Sequence, residues 1–98
     1  MWILETNDPD GPQVKFRLPA GSIKTLGRAT GAEFIVDFAL VSRLHCQLTA
    51  TADSLEVKDL GSTNGTFVNG KRVKTATALK SGDRLSVGRC ELVVSWEE

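Results

Sequence analysis

The sequence predicts an all-β domain, a sandwich built from many short strands. Apolar residues alternate with polar ones along several stretches, which is the period of half-buried strands rather than of helices. Turn-forming residues separate these stretches at short intervals, and no stretch has the pattern of a long helix. Ninety-eight residues suffice for one domain and are too few for two, so residues 1–98 are expected to form a single domain.

The alternation is present in four stretches of the chain. Each stretch places apolar side chains on one face and mostly polar side chains on the other, so each is predicted to be a strand with one face in the core. The apolar members are Val14, Phe16 and Leu18; Cys46, Leu48 and Ala50; Leu55 and Val57; and Cys90, Leu92, Val94 and Trp96.

The connections between these strands contain recognisable turn sequences. Asn69-Gly70 lies between two short apolar-containing runs and predicts a tight β-hairpin. Residues 33–44 are dense enough in apolar residues to suggest a helix, but Gly31 precedes them and Ser42-Arg43 interrupts them. We therefore expect a short buried strand followed by a loop there. Further turns are predicted at Asn7–Pro12, Pro19–Gly21, Ser81–Asp83 and Gly88.

Charge and hydropathy exclude several classes of function. Basic and acidic residues number 12 each, so there is no overall excess of positive charge that would favour nucleic acid or an anionic membrane. Any attraction for anions must come from a local cluster.

No segment approaches the roughly 20 apolar residues of a membrane span, and the first residues do not resemble a secretory signal. Cys46 and Cys90 are too few for a disulfide scaffold and are expected to be buried free thiols. We expect an intracellular protein of the cytoplasm or nucleus.

Three segments that must be loops are crowded with polar and glycine residues. They are Gly27-Arg28, Ser42-Arg43-Leu44-His45, and residues 59–66. Together they offer two guanidinium groups, several hydroxyls and loop N–H groups. Arginine matches phosphate geometry through paired donors, and successive loop N–H groups form anion-binding concavities. This set of groups suits a tetrahedral dianion.

The same segments, in this order and spacing, resemble the forkhead-associated (FHA) domain. The resemblance rests on Gly27-Arg28, Ser42-Arg43-x-His45, the run from Asp59 to Thr66, Asn69-Gly70, Leu79-x-x-Gly82-Asp83 and Gly88, and it spans essentially the whole chain. Each motif is weak alone, whereas the ordered set is specific. The resemblance implies a SMAD/FHA-like β-sandwich of about eleven strands, whose loops at one end bind a phosphothreonine peptide.

The resemblance also implies a role for individual residues. Phosphate contacts are expected from Arg28, Ser42, Arg43 and Thr63, and contacts to the ligand main chain from Asn64. Loop support is expected from Gly27, His45 and Gly65. A subsite for a ligand residue a few places after the phosphothreonine is expected at Leu40 and Val41, whose apolar character favours an uncharged or aliphatic residue. The implied partner is a phosphothreonine-containing protein downstream of a Ser/Thr kinase, and no enzymatic activity, cofactor, metal, nucleic acid or membrane is expected.

Other interpretations of these residues are weaker. Residues 65–71 fit the spacing of a nucleotide-binding P-loop, but Arg72 replaces the required Ser or Thr and a hairpin surrounds the match. Ser42, His45 and Asp59 are the residue types of a hydrolase triad, without a nucleophile elbow. The histidine and cysteines lack metal-ligand spacing. The remaining alternative is a phosphate-independent interaction or scaffold domain on the same sandwich.

Overall fold

The structure, a computed structural model, describes residues 1–11 and 13–98. Pro12, which ends the first predicted turn, therefore lies outside the described residues. The described part of the chain forms eleven strands and contains no helix, so the all-β class that the alternation predicted is confirmed. In chain order these strands are β1 (Trp2–Thr6), β2 (Lys15–Leu18), β3 (Ile23–Gly27), β4 (Phe34–Ile35), β5 (Cys46–Ala50), β6 (Leu55–Asp59), β7 (Thr66–Val68), β8 (Lys71–Arg72), β9 (Thr77–Leu79), β10 (Arg84–Val87) and β11 (Cys90–Trp96).

The strands form two sheets that face each other across the core. One sheet has the strand order β2-β1-β11-β10-β7-β8 and the other has the order β4-β3-β5-β6-β9. All pairings are antiparallel except that of β3 with β4, where Leu26 lies opposite Phe34. Among the residues described, no helix is long and apolar enough to cross a membrane.

The core is made by the apolar phase of the predicted strands. Leu48, Leu55, Val57 and Leu92 are completely buried, while their polar neighbours along each strand point outwards. Trp96 shares the apolar phase of β11 but is 38% exposed because it lies at the strand end, where its ring packs edge-to-face on Trp2. The expectation of alternating half-buried strands is therefore confirmed.

Two local predictions can be compared with the structure directly. Asn69 and Gly70 have φ values of 51° and 83° and connect β7 to β8, so the predicted tight hairpin is confirmed. Residues 33–44 form a short strand followed by a loop, as expected. The strand itself is only partly covered, however, and the fully buried residue is Val36, just beyond its end. The hydrogen bond from the Val36 amide to the Gly27 carbonyl, at 2.8 Å, continues the contact with β3.

The sheet register brings three loops to one end of the sandwich. Cys46, the first residue of β5, lies opposite Leu26 near the end of β3 and opposite Asp59 at the end of β6. The loops that follow β3 and β6 and the loop that precedes β5 must therefore emerge together. The β10–β11 turn lies at the same end, where a Cβ on Gly88 would be 2.8 Å from the Ala39 carbonyl oxygen.

Candidate functional site

Arg28, Ser42 and Thr63 come together at the end of the sandwich where the three loops meet. Two surface grooves, of about 610 and 500 Å³, run away from this point, and all three residues line both of them. The first groove also includes Arg43 and Leu44, and the second includes Leu40 and Asn64. A ligand that occupied both grooves would contact Arg28, Ser42 and Thr63 where the grooves adjoin.

Arg28 is held in place by its loop while its terminal amino groups stay available. Its Nε donates a hydrogen bond to the Val41 carbonyl at 3.0 Å, and its main-chain N–H donates to the Ser42 carbonyl at 3.0 Å. No described residue accepts a hydrogen bond from the two terminal amino groups. A guanidinium fixed through Nε presents its remaining donors as a fork, which is the arrangement that binds a phosphate through two oxygens.

Ser42 and Thr63 are connected directly. The Thr63 main-chain N–H donates a hydrogen bond to Ser42 Oγ at 3.0 Å, across the two loops. A serine hydroxyl has one proton to donate and accepts at its lone pairs. Because Oγ accepts from Thr63, the Ser42 hydroxyl proton remains available to a ligand in the grooves.

Arg43 adds a second cationic side chain, and Gly27 allows its loop to approach. Arg43 is exposed, lines the first groove, and accepts a hydrogen bond from the Ala29 N–H at its carbonyl oxygen, at 3.2 Å. A Cβ on Gly27 would overlap this same carbonyl oxygen. Gly27 is thus required by the close approach of β3 to the loop that carries Ser42 and Arg43.

His45 is completely buried and joins two of the three loops. Its Nδ1 accepts a hydrogen bond from the Ser42 N–H at 3.0 Å, so the ring proton resides on Nε2. Nε2 then donates to the Gly65 carbonyl at 2.8 Å. One neutral imidazole therefore fixes the Ser42 loop relative to the loop that contains Thr63 and Asn64.

Asp59 organises the β6–β7 loop from inside. Its carboxylate accepts hydrogen bonds from the Gly61 and Ser62 N–H groups, both at 3.0 Å, and from the Ser62 and Thr66 hydroxyls, both at 2.6 Å. Partial burial by itself raises the pKa of this carboxyl, but the hydrogen bonds from Ser62, Thr66 and Gly61 outweigh burial and hold the pKa below its ordinary value. Ser62 Oγ also accepts from the Gly65 N–H at 2.9 Å, which extends the network to the next turn.

Asn64 and Leu40 are connected across the second groove. Asn64 Nδ2 donates to the Leu40 carbonyl at 3.0 Å, and the amide oxygen of Asn64 remains an available acceptor. Leu40 has a φ of 70°, a left-handed conformation that a non-glycine residue seldom adopts, and its side chain is 49% exposed. Val41 is only 3% exposed, so its side chain belongs to the core and Leu40 is the one open to a ligand.

The sequence analysis assigned no role in this site to several residues that shape it. Ser62 and Thr66 anchor Asp59, and a carboxylate followed closely by hydroxyls is a signal that could have indicated such a loop. Asp37 and Phe38 line the second groove, and Arg72 packs against Gly65. Their positions depend on tertiary contacts rather than on a local motif.

The residue types of a hydrolase triad are not arranged as one. His45 interacts with the main-chain N–H of Ser42 rather than with its hydroxyl, and the bonds that Asp59 accepts come from residues 61–66. Within residues 1–11 and 13–98, no three His, Cys, Asp or Glu side chains are grouped closely enough to hold a metal ion. Both cysteines are buried, and burial raises the pKa of Cys46 to about 12 and that of Cys90 to about 11.

Two sheets with clustered loops at one end define the class, a β-sandwich that carries its candidate site on loops. Within that class, the family model for the FHA domain matches residues 24–88, and the chain belongs to the FHA family. The expected resemblance and the expected eleven-strand sandwich are therefore confirmed.

Relatives of known sequence share this region. The chain is 41% identical over 76 residues to an ABC transporter ATP-binding/permease protein of Mycobacterium tuberculosis, covering 78% of this chain and 9% of that protein. It is 37% identical over 67 residues to the oxoglutarate dehydrogenase inhibitor of Corynebacterium jeikeium, covering 68% of this chain and 46% of the inhibitor. The chain thus spans less than half the length of these relatives.

Solved structures show the same fold over almost the whole chain. The FHA domain of the CT664 protein from Chlamydia trachomatis superposes with a TM-score of 0.91 at 21% identity, covering 99% of this chain and 98% of that one. A second structure, from a structural and functional analysis of phosphothreonine-dependent FHA domain interactions, superposes with a TM-score of 0.83 at 30% identity. It covers 99% of this chain and 97% of that one.

Proposed function

We propose that this domain binds phosphothreonine in partner proteins and acts as a non-catalytic adaptor downstream of Ser/Thr kinases. The observation that carries the proposal is the meeting of Arg28, Ser42 and Thr63 at the junction of two grooves. Their unused donors are a guanidinium fork and two hydroxyls, which together match the oxygens of a phosphate. The 30% identity to a domain studied for phosphothreonine-dependent interactions supports the same conclusion.

Each side chain has a definite role in this proposal. Arg28 and the Ser42 hydroxyl bind phosphate oxygens, Thr63 adds a further contact, and Arg43 contributes its main chain and guanidinium. The Asn64 amide binds the ligand main chain beside the phosphothreonine. Hydrogen bonds to charged groups contribute about 1.5–3 kcal/mol each, before the cost of ordering the peptide. A few of them give about −8 kcal/mol, which corresponds to micromolar binding.

Selectivity for threonine over serine would come from one methyl group. Its burial contributes about 0.8 kcal/mol, which is about a fourfold difference in affinity, and a closely fitting pocket increases this. Asp and Glu carry one charge on a planar group, whereas phosphate is close to −2 with three acceptor oxygens. Peptides with Asp in place of phosphothreonine are therefore expected to bind poorly.

The second groove would read a residue that follows the phosphothreonine. Leu40 offers an exposed apolar side chain there, with the Val41 main chain beside it. Asp37 lines the same groove and repels an acidic ligand residue. We therefore expect an oriented phosphothreonine library to select aliphatic or uncharged residues at this position and to reject Asp.

The decisive experiment is calorimetric titration of one peptide in phosphorylated and phosphatase-treated forms. Phosphorylated peptide should bind with micromolar affinity and treated peptide should not. Arg28→Ala should abolish binding, and Arg28→Lys should weaken it strongly because lysine lacks the paired geometry. Arg17→Ala, an exposed arginine on β2, is the matched control and should bind normally. Equal binding of both peptide forms would replace this proposal with the phosphate-independent scaffold.

A further inference from the structure

Charge is segregated within this chain although its net charge is zero. Residues 66–83 contain four of the twelve basic side chains but only one of the twelve acidic ones, Asp83. The four basic residues, all exposed, are Lys71, Arg72, Lys74 and Lys80. Local potential, rather than net charge, determines where an anionic partner associates.

The structure gathers this charge around a groove between two strand edges. β8 and β9 are the last strands of their respective sheets, and a groove of about 500 Å³ lies between them. Lys71, Arg72 and Lys80 line it together with Val68, Val73 and Ala78, and Asp83 is the one acidic residue among its described lining residues. Val68 and Val73 are buried, so the groove has an apolar floor beneath a cationic rim.

On the opposite side of the sandwich, stacked aromatic rings join the last strands of the two sheets. There the last strands are β2 and β4, and the rings of Phe16 and Phe34 stack across them with centroids 4.5 Å apart and an interplanar angle of 9°. β2 also carries two exposed cations, Lys15 and Arg17, which are not among the residues that line the groove between β8 and β9. The β2 cations therefore provide a comparison of similar charge outside this groove.

Asp83, the acidic residue in the lining of the groove, forms no ion pair within 4 Å among the described residues, although the hydrogen bond from Asn69 and, less strongly, the charge of Lys80 lower the pKa of its carboxyl. The Asp83 carboxylate accepts hydrogen bonds from Asn69 Nδ2 at 3.0 Å and from the Lys80 main-chain N–H at 2.9 Å. Among the residues that the structure describes, the one ion pair within 4 Å is that of Arg84 and Glu91, at 3.8 Å, on β10 and β11. Lys71 and Arg72 thus have no ion-pair partner among the described residues, and Lys80 interacts with Asp83 only beyond ion-pair distance.

We propose that this groove is a second binding site, which takes an extended acidic segment of a partner protein. A strand at the edge of a sheet has main-chain groups that can pair with an added peptide, so an extended segment suits the β8 and β9 edges. Carboxylates on that segment would reach the rim while smaller side chains contact the floor. A recessed groove between two edges fits a single peptide chain better than a flat lipid surface.

The groove is also connected to the candidate phosphate site. A Cβ on Gly65 would lie 3.1 Å from Arg72 Nε, so the Arg72 side chain packs on the loop that carries Thr63 and Asn64. A partner with an acidic stretch could therefore contact both regions. The acidic-segment site nevertheless does not require phosphothreonine binding, because none of its rim residues line the two grooves at Arg28.

The test uses octaglutamate as the probe, with a Gly-Ser octapeptide as the neutral control. Backbone amide shifts in an NMR titration of the whole chain should change at residues 68–73 and 77–83 with octaglutamate only. The double variant Lys71→Gln/Lys80→Gln should weaken binding about fivefold or more, and added salt should weaken it further. The control Lys15→Gln/Arg17→Gln removes the same charge from β2 and should bind octaglutamate with unchanged affinity.

Three results would overturn the inference. The first is an equal loss of affinity in both double variants, since only the overall charge would then matter. The second is a set of octaglutamate shifts centred on Arg28, Ser42 and Thr63. The third is the same pattern of groove shifts with phosphatidylserine vesicles or duplex DNA at lower concentrations. Arg28→Ala, which should abolish phosphothreonine binding, should leave octaglutamate binding intact, so the two proposals can fail separately.

Discussion

The main-chain N–H of Thr63 donates a hydrogen bond to the side-chain oxygen of Ser42 at 3.0 Å, although the two residues lie 21 positions apart in the chain. This contact gives Ser42 a structural role beside the one that the proposed function assigns to it. Its oxygen holds the β6–β7 loop in place, and its proton remains available to a ligand. The Ser42 hydroxyl therefore both fixes the position of the β6–β7 loop and, in the proposed function, donates to the phosphate.

Ser42→Ala should weaken binding of a phosphothreonine peptide by about tenfold or more, because a hydrogen bond to a charged group contributes about 1.5–3 kcal/mol. The free energy of unfolding should fall by about 1 kcal/mol through loss of the acceptor for Thr63. Calorimetry and denaturant unfolding measure the two effects. Ser95→Ala, at the far end of β11, serves as the matched control; a similar loss of affinity there would contradict a specific role for Ser42.

Asp59→Asn should destabilise the domain at neutral pH, by about 1–3 kcal/mol, because the carboxylate accepts four hydrogen bonds in one loop. The pKa of Asp59 is lower in the folded chain than its ordinary value. Its stabilising contribution is therefore complete above that ordinary value, near 4, and is lost as the pH falls through the lower folded pKa.

Urea unfolding of Asp59→Asn between pH 7 and pH 3 measures this linkage. The variant should differ most from the parent at pH 7 and converge with it towards the acidic end. A constant difference across the pH range would show that the effect of Asp59 does not come from its charge. Asp53→Asn removes an exposed carboxylate between β5 and β6 and provides the comparison.

His45→Ala should lower the melting temperature by about 10 °C or more, since it removes a buried side chain and both of its hydrogen bonds. The Ser42 N–H and the Gly65 carbonyl would lose their partners at the same time. Hydrogen exchange of the Ser42 amide should accelerate relative to amides in the centre of β11. An unchanged melting temperature would count against the bracing role of the imidazole.

Gly27→Ala should disrupt the site more than the size of a methyl group suggests. The added Cβ would overlap the Arg43 carbonyl, which is backbone and cannot rotate away. The Ser42-Arg43 loop would have to move, so peptide affinity should fall together with stability. Gly31→Ala is the matched control because a Cβ there meets nothing within 4 Å and its stability should not change. Equal behaviour of the two variants would show that the close approach is unimportant.

The strands were predictable because a half-buried strand alternates directly in the sequence. Leu48 and Val57 are buried and their neighbours are not, and this difference is visible without knowing the partner strand. The parallel pairing of β3 with the two-residue β4 was not predictable, since it depends on Val36 being drawn into the core beyond the strand. Trp96 follows the alternation yet stays exposed, because the core ends before β11 does.

The chemistry of the three loops predicted an anion site, but the roles of individual residues in the candidate site were predicted through a family pattern. Arg28, Ser42 and Thr63 are far apart in the sequence, and they meet because Cys46 pairs with strands on both sides. Without that register the sequence shows three polar loops with no common location. The basic groove was not predicted because the net charge of the chain is zero. The clustering of basic side chains becomes evident only where β8 and β9 lie beside the same groove.

The bridging imidazole of His45 has a consequence for how this site forms. The same ring holds the Ser42 loop and the β6–β7 loop, so neither loop can reach its position in the candidate site without the other. We therefore expect the two loops to order in one cooperative step. Loss of ligand capture during chemical denaturation should then coincide with the change in tryptophan fluorescence from Trp2 and Trp96, rather than precede it. The loops of the candidate site would then unfold in the same cooperative transition as the core.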